Sequence, residues 1–325
     1  MKNLYKLGIC ILIAGCAAAI PDQPTARIEF LAPDAYPEGI AYDSIGNMYY
    51  VSSARTGAIG SVTPEGKYTA LLTDNGFKSS YGMKVHPDGK RLFVCIGDAN
   101  YSKFTSPDTR KKMARLLSID MATGKKLADI DLSRLVPGEH FPNDLTFDKA
   151  GNAYITDSFA NVIYKVDSSG KASVFADSPL FKTEGIGING IVWHPAGFLL
   201  TASSGTGQIY KVDISNPKNV SKVMAEQFFV NADGILLNDS NTLTLVQNGG
   251  SDKIYKLKTE DNFNSVKLSA STLVADRFTY PSTAAKVKDE VWVMNAKFSE
   301  LTDSTSVPSM KFAIQNARFM PLPRK

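Results

Sequence analysis

The stretch Asn143-Asp144-Leu145-Thr146-Phe147-Asp148, followed after two residues by Gly151-Asn152-Ala153-Tyr154-Ile155-Thr156, decides the fold because the chain repeats it. Glu38-Gly39-Ile40-Ala41-Tyr42-Asp43 stands in the same relation to Gly46-Asn47-Met48-Tyr49-Tyr50-Val51. The phrase returns as Asn189-Gly190-Ile191-Val192-Trp193 and as Asp233-Gly234-Ile235-Leu236-Leu237, with weaker copies at Tyr81-Gly82-Met83 and Ser282-Thr283-Ala284. The anchors 38, 81, 143, 189, 233 and 282 are 43, 62, 46, 44 and 49 residues apart. Such spacing suits four-stranded propeller blades. Third strands follow at Ile163-Tyr164-Lys165-Val166, Ile209-Tyr210-Lys211-Val212 and Ile254-Tyr255-Lys256-Leu257. The expected fold is therefore all-β, a six-bladed β-propeller with four-stranded antiparallel blades over residues 26–325. Ala26 to Leu31 precedes the first blade and is expected to pair with the last one, closing the ring and leaving no open edge there.

Composition agrees with this reading and excludes other classes. Of 325 residues, 43% are hydrophobic and 21% charged, which supports a large core rather than disorder. The formal charge is +4, from 36 Lys and Arg against 32 Asp and Glu. That balance gives no electrostatic grip on nucleic acid, so none is expected as a partner. Gly185-Ile186-Gly187-Ile188-Asn189-Gly190 matches a dinucleotide fingerprint in letters only, because it precedes a propeller strand and not a helix.

The amino terminus reads as a targeting segment. Lys2 and Lys6 flank an apolar run, Leu7 to Ala14, which is too short to span a bilayer. The sequence Ile13-Ala14-Gly15-Cys16 resembles the bacterial lipobox. Residues 1–15 are then a lipoprotein signal peptide, Cys16 the acylated first residue of the mature chain, and residues 16–25 a tether. The protein is expected to be exported and lipid-anchored to the bacterial cell envelope, on the periplasmic or outer-membrane side. Cys95, in Leu92-Phe93-Val94-Cys95-Ile96, is left as the one free thiol, and a packing role is expected for it.

In a propeller the first strand of each blade lines the central channel, so the six anchors form a ring at one mouth: Glu38, Tyr81, Asn143, Asn189, Asp233 and Ser282. Two carboxylates and two amides converging there offer only oxygen to a cation. That suits a hard ion, Ca²⁺ first, and the two acids would offset its charge. Zn²⁺ is less suited for want of His or Cys in the ring, though it stays among the divalent alternatives with Mn²⁺ and Mg²⁺. A simpler account is that Asn and Asp open strands after turns, where their side chains bond nearby backbone.

Glu, Asn, Asn and Asp at the heads of blades one, three, four and five resemble the calcium-dependent six-bladed family of gluconolactonase and senescence marker protein (regucalcin). The resemblance spans most of residues 30–300. It implies that Glu38, Asn143, Asn189 and Asp233 bind a catalytic divalent cation and that the protein hydrolyses a sugar lactone or a similar ester. Asp233 is the expected catalytic carboxylate. Tyr81 and Ser282 stand where distant relatives use His near the metal, and both are expected to contact substrate. His86 and His194 fall in His-Pro turns at the far end of the channel, whereas His140 reaches the metal face, either to orient substrate or to pin its loop. Residues 97–115 form an enlarged blade-two loop whose Arg110, with Lys111 and Lys112, is expected to meet an anionic or hydroxyl-rich small-molecule substrate. Two other classes remain open: a calcium-binding propeller that binds a small ligand without turnover, and a scaffold for an envelope protein partner.

Overall fold

The structure is a computed structural model that describes residues 26–322. The expected signal peptide, Cys16 and the whole tether lie outside the described residues. Six antiparallel sheets follow one another along the chain. Blade one holds Ile40–Asp43, Met48–Val51, Ile59–Val62 and Tyr68–Leu72, and blades two to four repeat the pattern. Blade five adds two short strands that the repeat did not announce: Met224–Ala225 runs parallel to Ser265–Ser271, and Met320–Pro321 pairs with its other end. Apart from two 3-10 turns, the only helix among the described residues is the single turn Ser299–Thr302.

Arg27–Leu31 pairs antiparallel with Lys311–Asn316 over five residues, from Arg27 opposite Gln315 to Leu31 opposite Lys311. The strand before blade one thus supplies the outer edge of blade six. This tie satisfies backbone groups that an open ring would leave exposed.

The innermost strands share one irregularity, and it sets the site. In blades two to six the strand gains an extra residue at the repeat anchor. Pro142 pairs with Asp157 and Leu145 with Ile155, so three steps on one strand match two on its neighbour; the same slip recurs between Ile188 and Ile191 and between Ala232 and Ile235. Asn143-Asp144, Asn189-Gly190 and Asp233-Gly234 occupy these bulges. A bulge releases residues from the ladder and re-aims their side chains. The residue after the anchor is glycine in four blades because the inner strands touch there. A Cβ on Gly39 would lie 2.2 Å from the Tyr81 carbonyl oxygen, and one on Gly190 would lie 2.4 Å from that of Asp233.

Cys95 is fully buried in the strand Arg91–Gly97, and burial pushes its thiol pKa well up. His194 stacks on Phe198 and its Nδ1 accepts from the Ala196 N–H, as a turn-forming residue does.

Candidate functional site

Glu38, Asn143, Asn189 and Asp233 line one cavity of about 290 Å³ at the channel mouth. Each brings a buried side-chain oxygen without a hydrogen-bond partner: Glu38 Oε2, Asn143 Oδ1, Asn189 Oδ1 and Asp233 Oδ1. Orphaned buried oxygens are rare because each costs about 1–3 kcal/mol. Four of them on one cavity, from four blades, are a donor set arranged for something they do not find within the protein.

Neighbouring side chains hold Asp233 and Asn189 in place. Asn248 donates to Asp233 Oδ2 at 2.6 Å and to the Pro281 carbonyl at 3.0 Å. Asn189 Nδ2 donates to Ser204 Oγ at 3.0 Å, and Ser204 donates to the Ala232 carbonyl at 2.6 Å. The Asn189 amide is therefore fixed with its oxygen left open. Ser158 makes the same bridge to the Ile188 carbonyl at 2.7 Å, so the residue closing the second strand in blades three to five clasps the residue before the next anchor.

The cavity is acidic. Burial, then the charges of Asp233 and Asp144, raise the Glu38 carboxyl well above its ordinary value. Asp233 is raised to about 7, chiefly by burial and against the hydrogen bond from Asn248. Asp144 lies fully buried beside them; its oxygens accept from the Leu145 and Ile191 N–H groups, and burial raises it too. Carboxylates at this density favour protonation or a cation. Among the described residues no cluster of three His, Cys, Asp or Glu could hold a metal. Half of this donor set is amide oxygen, which suits hard cations such as Ca²⁺ and not Zn²⁺.

Four expected substrate contacts, Tyr81, Ser282, His140 and Arg110, do not line this cavity. Tyr81 is fully buried; its hydroxyl accepts from the Ala99 N–H and its ring packs edge-on against Phe141. Ser282 donates to the Glu38 carbonyl at 2.6 Å, which ties blade six to blade one. His140 is buried against Asp157 at 2.8 Å, and Asp157 also accepts from the Phe141 N–H, so the pair pins the loop and does not face the cavity. Arg110 is exposed and off the cavity. In the same loop Lys111 reaches Glu139 at 3.1 Å and Lys112 the Pro107 carbonyl at 2.9 Å. The loop does overhang the mouth, but through Tyr101, whose backbone is held by Arg55.

Repeat reasoning gave no site role to Asn248, Phe141, Tyr280 and Phe298, and read Ser204 only as part of a polar loop on the metal face; all five line the cavity. Asn248 and Ser204 carried a signal, since they end second strands at equivalent places. Phe298 carried none, because it sits in the irregular blade-six loop. A larger groove of about 560 Å³ lies around Phe198 and Lys211. It holds no orphaned oxygen, and Lys211 there donates to the Asn262 carbonyl and to Asn264.

The sequence matches no protein-family model and no curated protein. Solved structures do match. The major allergen Mala s 1 of Malassezia sympodialis has a TM-score of 0.70 and 16% identity, over 92% of this chain and 97% of that one. A luciferin-regenerating enzyme gives 0.61 and 14%, over 90% and 96%. Virginiamycin B lyase from Staphylococcus aureus, solved with quinupristin as a catalytically inactive variant, gives 0.57 and 15%, over 90% and 99%. At these identities the likeness is one of fold, and enzymes are among the proteins that share it.

Proposed function

We propose that the protein is a divalent-cation-dependent hydrolase, of the gluconolactonase and regucalcin type, acting on a lactone or similar ester at the channel mouth. The four orphaned oxygens carry this reading. Glu38, Asn143, Asn189 and Asp233 would hold the cation, with Ca²⁺ favoured by the all-oxygen set. When bound, such an ion supplies Lewis-acid polarisation of a carbonyl oxygen. Asp233 Oδ2, which keeps a second lone pair beside its bond from Asn248, would accept a proton from the water that attacks the carbonyl carbon and return it to the departing ring or alkoxide oxygen as the ester C–O bond breaks. Asn248 keeps the Asp233 carboxylate from turning by holding Oδ2. Glu38, more deeply buried than Asp233, serves binding and not proton transfer.

The test is hydrolysis of a lactone panel with and without chelator. Turnover that vanishes with chelator and returns with calcium supports the reading; cation-independent turnover, or none, opposes it. A second reading is favoured by the absence of His from the cavity lining, which leaves proton transfer to carboxylates that also face the ion. Under it the propeller binds a small ligand or an envelope protein with calcium and without turnover, and calcium-dependent binding that yields no product would establish it.

We further propose that the mature chain is anchored at the cell envelope through acylated Cys16. Labelling cells with an alkyne fatty acid should tag the protein, and Cys16→Ser should abolish the label and release the protein from membranes.

A further inference from the structure

The two sides of the cavity differ in kind. Blades two, three and six supply a band of rings: Phe141 to Tyr101 with centroids 6.2 Å apart, Tyr101 to Phe298 at 5.2 Å, and Phe298 to Tyr280 at 5.7 Å. All four line the cavity. Blades four and five supply the opposite side, where the side-chain donors of Asn189, Ser204 and Asn248 are already engaged and the open oxygens of Asn189 and Asp233 are those the proposed cation takes. Asn248 donates to Asp233 and to Pro281, Asn189 to Ser204, and Ser204 spends its one proton on the Ala232 carbonyl. Substrate hydroxyls are left the exposed Asn231 and Glu184 at the rim, and a polyol pressed against the rings on the other side would leave hydroxyls unpaired.

Charge narrows the substrate further. Among the described residues no Lys, Arg or His lines the cavity, whereas Glu38, Asp233 and Glu184 do. The basic side chains nearest in sequence are turned to other partners: Lys103 to Asp34 at 3.2 Å, Lys111 to Glu139 and Lys112 to backbone. Even with a cation offsetting Glu38 and Asp233, an entering anion meets Glu184 and no basic side chain on the cavity wall.

Resting on the hydrolase reading for the kind of bond involved, we propose that the site selects a neutral ester or lactone that lays a flat apolar face on the Tyr101, Phe141, Phe298 and Tyr280 rings, in preference to a polyhydroxylated or anionic one. Offset and edge contacts with such a band reward a planar ring above its simple burial. Tyr101 and Phe298 are the specificity-determining residues, because they close the band over the mouth from two different loops.

Binding of lactams, which keep the carbonyl but resist hydrolysis, tests this independently of turnover. By calorimetry in calcium buffer, 3,4-dihydroquinolin-2-one should bind at least about tenfold more tightly than gluconolactam. Tyr101→Ala should erase most of that preference. Tyr101→Phe should keep it, and Phe298→Leu should reduce it. Arg110→Gln should leave both affinities unchanged. Equal or reversed preference, no binding of either lactam, a preference indifferent to Tyr101→Ala, or lost binding in Arg110→Gln would each overturn the proposal. Lactam selectivity without hydrolysis of any ester would refute the hydrolase reading and leave the selectivity standing.

Discussion

Asp233 and Glu38 share a cavity but not an environment, and substitutions should separate them. Asp233→Asn is expected to abolish turnover while lowering cation affinity less than Glu38→Gln does, as calorimetry beside a lactone assay would show; normal turnover in Asp233→Asn would remove that residue from the chemistry. Asn248→Ala should free the Asp233 carboxylate and leave Oδ2 without its 2.6 Å donor. A loss of about 1–3 kcal/mol in stability is expected on denaturant unfolding, together with reduced turnover. The four oxygen-bearing anchors were legible because the repeat puts them in one register. What the sequence could not convey is which polar residues of that register face inward. Ser282 and Tyr81 hold the same place as Asn143, yet their hydroxyls close inter-blade and loop hydrogen bonds. The short Ser282 hydroxyl meets a neighbouring backbone carbonyl and the long Tyr81 phenol reaches the Ala99 N–H, whereas the Asn189 amide, held through Nδ2, keeps its oxygen free.

The inner strand and its bulge carry the fold's geometry to the site. Gly39→Ala and Gly190→Ala would drive a Cβ into a neighbouring strand's carbonyl oxygen, at 2.2 Å and 2.4 Å. Each is expected to cost about 1–3 kcal/mol and to lower cation affinity with it, since the inner strands must separate. Gly197→Ala, whose Cβ would meet nothing within 4 Å but whose φ is +89°, should destabilise without changing cation binding. Thermal melts and calcium titration of the three variants check this. Strand positions followed from the repeated phrase and its spacing, and the closing strand followed from the need to cover an edge. Loops escaped that logic. The 62-residue blade-two spacing signalled an insertion, but its basic residues suggested a charged lid, and the side chain that reaches the cavity is Tyr101. Asp98, fully buried, explains the difference: it accepts from Thr105 and Thr109, which folds the loop onto itself and directs Lys111 and Lys112 to local partners.

At the scale of the whole molecule, the hub gathers negative charge that six blades hold together. Glu38 and Asp233 both have carboxyls raised above their unfolded values, so the folded, cation-free protein retains protons that an unfolded chain has already released. Their contribution to stability is therefore present below the ordinary carboxylate range and is lost as pH rises from about 4 towards 7, the window set by Asp233 between 3.8 and about 7. Chelated protein should melt at a lower temperature at pH 8 than at pH 5 from this source, and saturating calcium should reverse the trend by binding the charged forms. Melting curves at both pH values, with and without calcium, would show it; a pH trend that calcium leaves untouched would dissociate the carboxylates from cation binding. The most direct test is a crystal structure grown with calcium and examined by anomalous scattering. One ion is predicted at the channel mouth, bonded to Glu38 Oε2, Asn143 Oδ1, Asn189 Oδ1 and Asp233 Oδ1 at about 2.3–2.6 Å. An ion bound elsewhere, or no ion at millimolar calcium with those oxygens still bare, would contradict the account.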